Sequence, residues 1–211
     1  VSLSPQMPFD PAKELAPITM LAAIPFVIVG HPSVQASTVA QLIASAKSQP
    51  GKYAIGHGGN GTAMHLSTAL FSQMADIKLT EVPYRGSGPA AMDALSGQVP
   101  LALTDLPAAL QHIKAGKLVP VAVTEKNRSP LLPEVRTATE QGVRGVEVNA
   151  WYGVFAPAGT PEPVRSKINA DINDSIEDMV LDAPSPLFDK TVRLETQALV
   201  NMVDSDDTIS V

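Results

Sequence analysis

The chain has 211 residues, no cysteine, and 15 basic against 21 acidic side chains, a net charge of −6. That length suits one large or two small domains, and 45% hydrophobic with 17% charged residues is ordinary globular composition. The missing cysteine excludes disulfides, thiolate zinc sites and cysteine nucleophiles, and no window concentrates Lys and Arg, so nucleic acid and anionic membranes are poor partners.

The opening Val1-Ser2-Leu3-Ser4-Pro5 lacks a basic or apolar leader region, and no run of 18 apolar residues occurs. A soluble chain without direct membrane insertion is expected, either mature, cytoplasmic or incomplete. Residues 1–25 are punctuated by Pro5, Pro8, Pro11, Pro17 and Pro25 and read as connecting structure before an apolar strand, Phe26-Val27-Ile28-Val29. Ser37 is expected to cap a helix with Val39, Leu42, Ile43 and Ala46 on one face, stopped by Pro50-Gly51.

Strands and helices then alternate: strand Tyr53–Ile55, helix Thr62–Met74, strand Leu79–Val82, helix Pro89–Leu95, strand Val99–Leu103, helix Pro107–Ala115 and strand Val119–Val123. This pattern predicts a mostly parallel sheet covered on both faces, with ligands beyond the C-terminal ends of the strands. After a loop over 124–145, a strand Trp151–Phe155 leads to Thr160 as cap and Pro161 as the opening of a helix reaching about Asp178. The acidic end, Asp204-Ser205-Asp206-Asp207, is expected to fray.

Two turns carry the functional reading. In Gly56-His57-Gly58-Gly59-Asn60-Gly61-Thr62, glycines let a ligand approach the backbone, and Thr62 caps a helix whose first amides and partial positive charge face outward. In Tyr84-Arg85-Gly86-Ser87-Gly88-Pro89 the same logic returns, with Ser87 as expected cap. Two such termini converging make a carboxylate or phosphate site. Neither turn fits G-x-G-x-x-G or G-x-x-x-x-G-K-[ST], so a nucleotide triphosphate is a poor ligand.

The histidines His31, His57, His65 and His112 suggest no metal: the eight-residue spacing of His57 and His65 matches no zinc motif, and no carboxylate stands beside them in the sequence. His65, early in the helix after Thr62, could still bond a ligand. Gly86-Ser87-Gly88 is not G-x-S-x-G, so no catalytic residue is assigned and no cofactor is expected. Arg85 is either a solvated loop charge or one cationic contact to a carboxylate. Asp105 would repel an anion unless it accepts from a ligand hydroxyl or ammonium. Trp151, the single tryptophan, reads as core.

Ordered segments over about residues 7–175 resemble the tripartite tricarboxylate transporter substrate-binding proteins, the Bug or TctC family. They include Met7-Pro8-Phe9-Asp10-Pro11, Pro50-Gly51-Lys52-Tyr53 through Gly61-Thr62, Val82-Pro83-Tyr84-Arg85-Gly86, Leu106-Pro107-Ala108-Ala109-Leu110, Arg128-Ser129-Pro130, and Trp151-Tyr152-Gly153 with Ala156-Pro157-Ala158-Gly159-Thr160-Pro161. The resemblance implies an α/β, type II periplasmic-binding-protein-like fold of two lobes with a hinge. Residues 26–150 would form the second ligand-binding lobe, and 1–25 with 151–211 a remnant of an incomplete first lobe plus hinge and C-terminal helix.

It further implies a periplasmic receptor, not an enzyme, that hands a small organic carboxylate to membrane permease subunits. The implied contacts are Gly58, Gly59, Asn60, Gly61, Thr62, His65, Tyr84, Arg85, Gly86, Ser87 and Asp105. The chain departs from the family's pattern in lacking an N-terminal strand and glycine-rich loop, and in Thr104-Asp105 standing where Asp-Asn is usual. The chain is then expected to be a fragment of a longer receptor or a truncated paralogue with impaired binding; the second reading is the cytoplasmic ligand-sensing domain of a transcription regulator, and the third an enzyme on an α/β sheet.

Overall fold

The computed structural model describes residues 8–182. A turn of helix, α1 (Pro11–Glu14), capped by the Asp10 carboxylate, leads into the 16-residue strand β1 (Leu15–Gly30). There follow α2 (Val39–Ser48), β2 (Ala54–His57), α3 (Ala63–Met74), β3 (Thr80–Pro83), α4 (Ser87–Leu95), β4 (Leu101–Asp105), α5 (Leu106–Lys114), β5 (Val119–Val123), β6 (Asn149–Pro157) and α6 (Glu162–Asp182). The acidic C-terminal stretch lies outside the described residues. Among those described, no helix is long and apolar enough to cross a membrane.

The described residues divide into two compact units, residues 24–150 and residues 8–23 with 151–182. In the larger, strands run in the order β3-β2-β4-β1-β5. β2 is parallel to β3 and β4, but β1 is antiparallel to both neighbours, pairing Phe26 with Asp105 and Val27 with Val123. The expectation of a mostly parallel sheet is corrected accordingly. Crossover helices fix the direction only of the strands they join, and β1 finds its partners about eighty to a hundred residues away.

Because β2, β3, β4 and β5 all point one way, their C-terminal ends share one edge. Both faces of the sheet are covered: Phe26, Ile28, Ile55, Leu101 and Leu103 pack with Phe71 of α3 on one side, Val27, Val29, Ala102 and Val123 with Ala90 and Ala94 of α4 on the other. That explains the unbroken apolar run Phe26–Val29, fully buried at every position. Each such side chain contributes about 1.5–3 kcal/mol of transfer free energy.

Two local expectations change. Of the stretch expected as connection, residues 15–25 are strand, since proline's fixed φ forbids helix interior but fits extended backbone, while residues 1–7 lie outside the described residues. The cap of α2 is Thr38, accepting from the Gln41 amide at 3.2 Å, while Ser37 instead donates its amide and hydroxyl to the Gln41 side chain.

In the smaller unit β6 pairs with β1, with Gly153 against the Thr19 carbonyl, and the Ala158 amide donates to the Glu14 carbonyl at 2.9 Å. α6 begins one residue later than expected and is tied to β1 by Asn169 Nδ2 donating to the Ile18 carbonyl at 2.6 Å. Trp151 is 58% exposed, not core; strand alternation sets it on the face of Phe155, ring centroids 6.2 Å apart.

Candidate functional site: two laced glycine turns and a histidine pair

Three strand ends of the larger unit are laced together. Tyr84 N–H donates to the His57 carbonyl at 2.9 Å and Gly86 N–H to the Gly58 carbonyl at 3.2 Å, which carries the β2–β3 pairing past the strands and sets the two turns side by side. Ser87 Oγ donates to Asp105 Oδ2 at 2.5 Å, joining the second turn to the end of β4. The residues singled out in the two turns and at Asp105 thus fall at one sheet edge.

Thr62 has the geometry read from the sequence. Its Oγ accepts the His65 amide at 3.3 Å and donates to the Gly59 carbonyl at 2.8 Å, so one hydroxyl caps α3 and closes the loop. In the second turn the cap position falls on Gly86 (φ +108°), and Ser87 is the first helical residue, its hydroxyl drawn away by Asp105. Pro89 occupies the third helical position, where its missing N–H removes a donor the helix could not use.

Several expected donors are already engaged. Gly59 N–H points at His57 Nδ1 (3.3 Å), Gly61 N–H at His65 Nδ1 (3.1 Å), Thr62 N–H at the Gly59 carbonyl (3.3 Å), and Gly86 N–H at Gly58. His65 has its other nitrogen, Nε2, 3.0 Å from Glu81 Oε2, so both ring nitrogens are used within the protein. The Tyr84 hydroxyl donates to Asp93 Oδ2 on α4 at 2.8 Å, and burial first, then that bond, pushes its pKa up to about 12.

What stays open are the first-turn amides of α3 and α4, namely Ala63, Met64, Ser87 and Gly88, which have no intrahelical acceptor. Beside them lie exposed Asn60 and Arg85, the latter without hydrogen bond or ion pair among the described residues, and Asp105, whose Oδ1 is buried and unpartnered.

Glycine is required at two points. A Cβ at Gly56 would come within 2.9 Å of the Tyr84 ring, and Gly59 combines φ +121° with the Tyr84 carbonyl 3.0 Å from such a Cβ. At Gly58 the nearest atom is the thioether end of Met64, which can move.

Sequence reasoning found no carboxylate for the histidines because it is not local: Glu81 comes from β3, opposite Ile55 in register, which sets it on the α3 face of the sheet. His57 and His65 stack at 4.9 Å between centroids, and their ligating atoms and that of Glu81 lie within 4.8 Å of one another. An acid inside a four-residue strand was the available signal.

The donor pattern is nevertheless inverted for a metal. An imidazole ligating through Nε2 carries its proton on Nδ1 and gives it to an acceptor. Here both Nδ1 atoms face amide donors, which places the protons on Nε2. Burial above all, then the neighbouring His65, lowers the pKa of His57, while Glu81 opposes the shift.

The mixed α/β sheet is of the kind found in periplasmic binding proteins, and comparison with known proteins agrees. Residues 2–184 match the tripartite tricarboxylate transporter family receptor, TctC. The chain belongs to that family. It is 35% identical over 204 residues to the UPF0065 protein in the tcbD-tcbE intergenic region of Pseudomonas sp. (strain P51), covering 96% of this chain and 61% of that one. R. palustris Rpa4515 with adipate superposes with a TM-score of 0.75 at 31% identity, covering 95% of this chain and 67% of that one. MatC (Rpa3494) from Rhodopseudomonas palustris with bound malate gives 0.73 at 26%, covering 96% and 73%. The chain spans about half to three-fifths of the length of the curated relatives it matches.

Proposed function

We propose that the laced edge of the larger unit is one face of a binding site for a small organic carboxylate, and that the chain serves as a periplasmic solute receptor for a tripartite tricarboxylate-type permease, without chemistry of its own. The observation that carries this is the pair of bonds from Tyr84 and Gly86 to His57 and Gly58, which bring the N-termini of α3 and α4 together. Their first-turn amides and the unpaired Arg85 would hold the carboxylate, with Asn60 at the rim. Family membership supports the receptor reading, and the adipate and malate held by the two structural relatives support the ligand class.

Asp105 narrows that class. An unpartnered carboxylate oxygen beside an anion site repels a simple dicarboxylate and accepts from a hydroxyl or ammonium next to the bound carboxylate. The reading is tested by thermal melting against malate, succinate, aspartate, adipate and citrate, since a ligand at a hundred times its Kd stabilises by about 2.7 kcal/mol. A shift that Arg85→Ala abolishes, and a malate-over-succinate preference that Asp105→Asn erases, are the expected results. No shift with any carboxylate, in this chain or one extended to the relatives' length, refutes it.

A further inference from the structure

The stacked pair of buried His57 and half-buried His65 is machinery that ligand binding does not use directly. Each Nδ1 accepts the amide of a loop glycine, Gly59 at 3.3 Å and Gly61 at 3.1 Å, and the two contacts anchor both flanks of the exposed Asn60. An acceptor nitrogen bears no proton, so both rings are neutral and protonated on Nε2. For His65 that Nε2–H donates to Glu81 Oε2; for His57, fully buried, Nε2 has no partner among the described residues.

We propose that His57 and His65 are positioning residues for the glycine turn and hold it through a proton-sensitive latch. A proton added to either ring must go to Nδ1, the one nitrogen free of hydrogen. There it meets an amide N–H head on, turning an attractive contact into a repulsive one and releasing Gly59 or Gly61. The titratable groups facing the pair are the rings themselves, from the end of β2 and from α3, and Glu81 from β3. For His57, Glu81 favours the proton and the stacked His65 ring at 4.9 Å opposes it, and one proton suffices to loosen one anchor. The α3 cap is untouched, because Thr62 Oγ and the His65 amide take no part in the titration.

The consequence for ligand rests on the carboxylate reading above: with Asn60 and the approach to α3 unfixed, affinity drops on acidification by roughly fivefold to tenfold, the worth of about one backbone hydrogen bond. The loop itself can be followed without ligand. In the full chain, imidazole and backbone ¹⁵N spectra between pH 8 and pH 5 should report Nε2-protonated rings at pH 8 and Gly59 and Gly61 amides that shift and lose exchange protection along the rings' titration. His65→Asn keeps an acceptor at the Nδ1 position that cannot take a proton. In it the Gly61 amide should stay protected and silent to pH, whereas His65→Phe should leave it unprotected throughout.

Glycine amides that ignore the titration overturn the latch, as do rings protonated on Nδ1 at pH 8, or stoichiometric uptake of Zn²⁺ through Nε2. Malate titrations at pH 8 and pH 6 separate the two readings. If the glycines follow the rings but malate and the other carboxylates never bind, the latch stands and the receptor site falls. If malate binds equally at both pH values while the glycines stay fixed, the receptor stands and the latch falls.

Discussion

Replacing Thr62 by alanine tests the most specific claim made for the first turn, that one hydroxyl both caps α3 and closes the loop. The Oγ accepts from the His65 amide at 3.3 Å and donates to the Gly59 carbonyl at 2.8 Å. Losing an N-cap costs typically about 1 kcal/mol. Losing the second bond, which is better formed, costs about another 1 kcal/mol. A total near 2 kcal/mol lowers the melting temperature by about 4–8 °C for a chain of this size. Thr62→Ser keeps both bonds and should remain within about 0.5 kcal/mol of the parent. Urea unfolding followed by circular dichroism, with melting curves beside it, measures all three proteins. If the alanine variant unfolds with the parent, or serine loses as much as alanine, the hydroxyl does not hold the turn and the reasoning fails.

Further outcomes follow from the same edge. Gly59→Ala should destabilise by about 1–3 kcal/mol in urea unfolding, because a side chain there meets a positive φ and the Tyr84 carbonyl at 3.0 Å, whereas Gly58→Ala displaces only the end of Met64 and should cost clearly less. In an ultraviolet titration one of the three tyrosines should ionise near 12 and vanish from the curve in Tyr84→Phe. Because that folded pKa lies above the unfolded value of about 10, the stability it confers is full below about 10 and is lost as pH rises through 10 to 12. His57 has the opposite sign. Its folded pKa is lowered, so stability is full above the unfolded value of about 6.5 and falls as the solution is acidified below it. Melting temperatures between pH 8 and pH 5 should show that decline, and His57→Asn should blunt it.

The turns were legible in the sequence because their chemistry is local. Thr62 after a glycine run announces a cap, and Ala63–Met74 follows it as written. Ser87 announced one too, but a competitor eighteen residues on decided otherwise: the Asp105 carboxylate takes the hydroxyl, and Gly86 takes the cap position. The direction of β1 was not legible, since Phe26–Val29 reads the same in either sense and its partners are remote. Glu81 and Asp93 were missed for the same reason. Each acts across a sheet or helix pairing, on His65 and on Tyr84, that no short window contains.

The engaged amides are part of how such a site could work rather than a loss to it. A chain of net charge −6 that binds an anion must do so with local dipoles, which act within one helical turn, while salt screens the wider field beyond roughly 8 Å. Dipoles are effective only if already aimed. The bonds of Gly59, Gly61, Thr62 and Gly86 fix the two loops before any ligand arrives, so the remaining donors on α3 and α4 are ordered at folding rather than at binding. Arg85 then supplies a full positive charge, exposed and unpaired among the described residues, and the Ser87–Asp105 contact sets a negative oxygen beside the α4 amides. An anion is favoured by the first set and penalised by the last unless it brings a donor of its own. On this reading the edge discriminates by what stands next to the carboxylate as much as by the carboxylate itself.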